Sequence, residues 1–183
     1  MQYYLQEAPF SRFLFANTKM SWLWLIVRVY VGYEWLIAGI AKYNNPLWNG
    51  VDAGGALTGF MNNALTKTGG AHPDVQGWYA AFLKTVVLPH ANLWSHVVTY
   101  GEILVGVALI VGLFTGIAAF FGLFMNLNFL LAGAVSVNPI LFVLSLLLVL
   151  AWRIAGYIGL DKFALKLLGT PWQGGTMFNK PQS

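Results

Sequence analysis

The chain has 183 residues, 58% of them hydrophobic and only 9% charged, with a formal charge of +4 and a mean hydropathy of +0.65. A soluble domain carries about a quarter charged residues, so the composition points to an integral membrane protein of one domain, residues 1–183. With no cysteine, disulfide exchange, iron–sulfur clusters, covalent c-type haem and a thiol nucleophile are excluded from this chain. No basic cluster or stacking platform stands clear of the apolar runs, so nucleic acid is not an expected partner.

Met1 to Met20, with Arg12 and Lys19, reads as an amphipathic lead-in at the membrane surface, without the pattern of a cleavable signal. The first span is expected over residues 22–44, stopped by Asn45-Pro46. Residues 47–91 form the one long connection. It is punctuated by Gly54-Gly55, Gly69-Gly70, Pro73 and Pro89, with short helices expected over 56–65 and 75–88. In the second of these, Trp78, Phe82 and Val86 make one apolar stripe, so the segment reads as a helical lid on the membrane. Further spans are expected over 93–114, 117–135 and 140–157. Their connecting turns are so short that they must be antiparallel neighbours.

The expected fold is thus all-α, a four-transmembrane-helix bundle with a long extracytoplasmic helical loop between the first two helices. Arg12 and Lys19 before the first span, and Lys162, Lys166 and Lys180 after the last, place both termini in the cytoplasm of a cell (inner) membrane. Leu36-Ile37-Ala38-Gly39 with Asn45-Pro46 echoes Leu130-Leu131-Ala132-Gly133 with Asn138-Pro139, which suggests a parallel repeat of two hairpins.

Charged groups inside spans cost roughly 2.5–3.5 kcal/mol each on insertion scales, so they should face other helices. Counting the rise per residue puts Arg28 roughly 10 Å and Glu34 roughly 20 Å from the cytoplasmic face, and Glu102 about 12 Å below the outer face. Glu34 and Glu102 are therefore expected at one height, beside Asn126 and Asn128 of the third span, with Arg28 nearer the cytoplasm. Tyr33, Trp35 and Tyr100, with Tyr30, would supply flat walls and hydroxyl donors. Such a layer suits proton transfer to the polar head of a quinone. It also suits plain hydrogen bonding between helices. Arg153 is expected to snorkel or to pair with Asp161. His72, His90 and His96 lie in the lid or at the start of the second span and do not complete a ligand set for metal or haem. Gly101, Gly106, Gly112, Gly116 and Gly122 should let helices approach closely, and Gly106 shares the face of Glu102.

Several of these stretches together resemble the DoxX/DoxD family of small four-span membrane proteins. They are Arg28 to Lys42, Gln76 to Phe82, Leu88-Pro89-His90, Tyr100-Gly101-Glu102 with Leu104-Val105-Gly106, and Gly112-Leu113-Phe114-Thr115. Asn126-Leu127-Asn128 to Gly133, Asn138-Pro139 and Gly156 to Asp161 complete the set. The resemblance runs from about Trp22 to Lys166. It implies the membrane subunit of a thiosulfate:quinone oxidoreductase-like system, with quinone as substrate and a second oxidoreductase subunit or soluble redox protein as partner.

On that reading Glu102 and Glu34 are catalytic proton carriers. Arg28, Tyr33, Trp35, Lys42, Tyr100, Asn126 and Asn128 bind the quinone, and His90, with Lys42, receives an anionic reductant from outside. No metal, haem, iron–sulfur cluster or flavin is expected in this chain. The alternatives are a non-catalytic anchor for a soluble redox partner and a transporter of a small solute or lipid-like molecule, workable as a homodimer.

Overall fold

The computed structural model describes residues 8–170 and 173–177. Lys180 and the first seven residues of the lead-in lie outside them. The described chain is helical, apart from a two-residue antiparallel ladder that pairs β1 (Gly169–Thr170) with β2 (Gln173–Gly174).

The lead-in holds α1 (Pro9–Ala16), tied to the next helix by the Trp24 indole, which donates to the Leu14 carbonyl at 2.8 Å. A 3₁₀ turn leads into α2 (Ser21–Tyr43), within a residue of the expected bounds. The connection contains α3 (Gly55–Thr66) and α4 (Gly77–Phe82). From α4 the chain does not break. A π-type stretch (Leu83–Val87) and a 3₁₀ turn at Pro89 carry it into α5 (Ala91–Val111). Then follow α6 (Thr115–Leu131) and α7 (Asn138–Leu150). The fourth expected span ends early, because the chain turns at Ala151 into the short α8 (Trp152–Ala155) and again at Gly156 before α9 (Asp161–Leu168).

Two of these helical stretches, Thr18–Tyr43 and Gly77–Val111, are long and apolar enough to cross a membrane. The other two apolar helices, with 17 and 13 residues, reach only about 26 and 20 Å.

Antiparallel α2 and α5 pack backbone to backbone through glycine. A Cβ on Gly106 would lie 2.6 Å from the Leu36 nitrogen, and one on Gly39 would lie 2.8 Å from that of Ile103. The Gly106 face therefore does admit a neighbouring helix. Helices α6 and α7 form the second hairpin, with Trp24, Val31, Trp35, Leu109, Ala119 and Leu148 in the shared core. A second core under the long connection gathers Leu57, Met61, Tyr79, Leu83 and Val87 around Ala132, at the end of α6. Lys67 donates to the Gly133 carbonyl at 2.8 Å, placing a cation on the carbonyl end of α6.

Candidate functional site: a carboxylate-lined hollow

Successive turns of α2 place Glu34, Ala38 and Lys42 along one face, with Ala41 beside them and Asn45 just past the helix end. The alanines leave room in front of that face. A hollow of about 500 Å³ opens there, between α2 and the α6–α7 turn, with Phe60 of α3 and Trp48 of the connection closing it. Glu102 enters from α5, Phe129 from α6, and Asn138 and Leu141 from α7.

The glycine contacts fix the heights. Glu102 lies level with Gly39, so Lys42, less than one turn further on, reaches it. The ammonium donates to both carboxylate oxygens, at 2.9 and 2.7 Å, and Glu102 is only 1% exposed. Lys42 Nζ also lies 5.2 Å from the Trp48 ring centre and 6.0 Å from that of Phe129, so ring faces add to the stabilisation of the cation. Trp35 stacks on Phe129 with centroids 6.3 Å apart, and Phe60 meets Phe129 edge-on at 6.2 Å. The hollow thus has a continuous aromatic side. Glu34 is half-buried on its wall and makes no hydrogen bond or ion pair among the described residues.

One expectation changes here. The carboxylates share a hollow but not a height, since Glu34 lies five residues below Gly39, roughly 8 Å along the helix. The hollow itself opens between α2 and α7, whereas glycine packing closes the seam between α2 and α5.

Arg28 is not part of the hollow. Its guanidinium donates to Leu109 O and Ile158 O at 2.8 Å and to Ile110 O at 3.3 Å, a positive fork on the carbonyl end of α5. Gly112, at φ +68, closes that helix, and a Cβ there would strike the guanidinium. Asp161 does the converse for α6, accepting from Phe114 N at 2.6 Å and Thr115 N at 2.9 Å. Its oxygens are committed to that cap, and Arg153 lies exposed, so the pairing expected between the two is replaced by the cap.

Of the remaining expected site residues, Trp35 lines the hollow and is 3% exposed. Asn126 is fully buried and does not line the hollow, and neither of its amide atoms has a partner among the described residues. Asn128 turns away. Its Oδ1 accepts from the Tyr79 hydroxyl at 3.1 Å, and it lines a separate apolar groove of about 530 Å³ between α5 and α6. Tyr33 is exposed, and Tyr100 sits outside the hollow, its hydroxyl donating to Asn49 Oδ1 at 3.2 Å. His90 is exposed in the turn before α5 and lines neither space.

The family model for DoxX matches residues 23–137, well over half of the chain. The chain belongs to the DoxX family. The match runs from α2 through the α6–α7 turn, so most of the hollow lies inside it, and only the α7 wall lies beyond. DoxX is a membrane family, which sets these apolar helices in a bilayer. No curated protein and no solved structure matches the chain. Within this DoxX protein, sequence reasoning missed Trp48, Phe60, Phe129 and Asn138. Their signal was non-local, except that Ala38 and Ala41 mark the open face of α2 beside Glu34.

Proposed function

We propose that this DoxX protein is the quinone-linked membrane subunit of an oxidoreductase, with the hollow as the seat of the quinone head group. In this reading α2, α5, α6 and α7 cross a cell (inner) membrane as one four-span domain. Both termini are cytoplasmic and residues 47–91 lie outside. The observation that supports it is the Lys42–Glu102 pair, held in a space with an aromatic side and a second carboxylate on its wall.

A quinone ring fits against Trp35 and Phe129, with a carbonyl toward Lys42. Reduction to the quinol takes two electrons and two protons. The chain's own residues serve the protons: the ammonium donates to the developing oxyanion and Glu102 shares the charge, while Glu34 is placed to pass a second proton. The electrons come from a partner, a second oxidoreductase subunit or a soluble redox protein. Because Glu102 neutralises Lys42 and His90 stands apart, an outer cationic patch for an anionic reductant has little support.

The test uses the protein in lipid nanodiscs, with a short-chain ubiquinone and a short-chain menaquinone as probes and tryptophan quenching as the readout. Saturable quenching that weakens in Glu102→Gln, Glu34→Gln and Lys42→Met is the expected result. Quenching that none of the three alters would remove the proposal and leave the anchor reading.

A further inference from the structure

The hollow already shows what it does with a cation. The Lys42 ammonium rests on a carboxylate and against two ring faces. Glu34 repeats half of that arrangement on the same wall. It is next to Trp35 in sequence, opens on the same 500 Å³ space, and meets no cation among the described residues. The formal charges on the lining are two carboxylates and one ammonium, leaving one net negative charge beside Trp35, Phe60 and Phe129. A carboxylate beside aromatic faces in a half-open, largely apolar space favours a large, weakly hydrated cation and disfavours an anion.

We infer that the hollow is a binding site for a lipophilic organic cation, an ammonium, pyridinium or phosphonium carried on an apolar body. Its charge sits at Glu34 and its body lies along the Trp35–Phe129–Phe60 side. The alanines of α2 supply the space, and the exposed edge at Ala41 and Val137 lets the molecule arrive from the lipid. This inference does not rest on the quinone reading, and either can fail alone.

The experiment measures equilibrium binding of tetraphenylphosphonium to the full chain in nanodiscs of zwitterionic lipid, with tetraphenylborate as the anion of matching shape. Expected are saturable binding of the cation, at least about tenfold weaker binding of the anion, and a loss of about tenfold in Glu34→Gln. Glu34→Asp should restore most of it. Ala38→Leu, which fills the space and keeps the charge, should weaken the cation as well, so the result does not depend on one variant. Equal affinity for both ions, cation binding indifferent to Glu34→Gln and Ala38→Leu, or no saturable binding would overturn the inference.

Discussion

The Lys42 ammonium grips both oxygens of the Glu102 carboxylate across 60 residues of chain, beside the close contact of Gly39 with α5. A buried ion pair of this kind adds little over an apolar pair of the same volume, yet breaking one half of it strands a charge. Lys42→Met should therefore lower stability by about 3–5 kcal/mol. The double variant Lys42→Met with Glu102→Leu should recover most of that loss. Unfolding in mixed micelles, run as a double-mutant cycle, measures both.

Close approach of α2 and α5 makes a second prediction. At Gly106 an added methyl group meets the backbone of Leu36 at 2.6–2.7 Å, which no side-chain rotation relieves. Gly106→Ala should cost about 1–3 kcal/mol, through overpacking and separation of the helices. Gly59, inside α3, has nothing within 4 Å of the same position. Gly59→Ala should raise stability by roughly 0.5–1 kcal/mol, so the pair of variants separates crowding from helix propensity.

The turn between α5 and α6 is held by opposite charges placed on opposite helix ends. Arg28→Lys keeps the charge and loses the fork that spans Leu109, Ile110 and Ile158. A loss of about 1.5–3 kcal/mol is expected. Asp161→Ala frees two amides of α6 and should cost about 0.5–2 kcal/mol. Hydrogen exchange should show the opening concentrated at Gly112 to Thr115 in both.

Asn126 gives a prediction of the other sign. Its amide is fully buried with no partner among the described residues. Valine is only slightly larger and has no polar group to desolvate, so Asn126→Val should be neutral or stabilise by about 1 kcal/mol. Thermal melting of the purified protein decides this. A large loss would mean that the amide is bonded to something else in the folded protein.

The helices were legible because their evidence is local. Apolar runs bounded by Asn45-Pro46, Thr115-Gly116 and Asn138-Pro139 place α2, α5 and α6 closely, and the spacing of Trp78, Phe82 and Val86 marks the helix that leads into α5. The last expected span is longer than α7, since Trp152 to Tyr157 is apolar in sequence apart from Arg153 while Ala151 and Gly156 turn the backbone. The hollow was half legible. Glu34, Trp35, Lys42 and Glu102 were all picked out, because charge and aromatic rings within an apolar run are visible in one dimension.

Their pairing was not. Counting from each membrane face put Glu102 level with Glu34, but the register of α2 on α5 is set by which glycine meets which backbone, and that shifts Glu102 to Lys42. Arg28 was misplaced for a related reason. Its partners are backbone carbonyls, which carry no residue signature. Asp161 likewise caps a helix that begins 46 residues earlier, beyond the reach of any capping pattern.

The helical stretch Gly77–Val111, 35 residues long, carries a π-type segment and a 3₁₀ turn at Pro89 between its two α-helical arms. Its outer arm is fastened to α6 through Tyr79 and Asn128, and neighbouring bonds run from Ser95 to Trp48 and from Asn92 to Ala53. These bonds tie both the start of that stretch and the loop carrying Trp48, one of the residues that close the hollow, to the main helices. On the readings proposed above, a ligand of the hollow would enter sideways, past the exposed Ala41 and Val137, and its kinetics would follow the fluidity and chain length of the surrounding lipids.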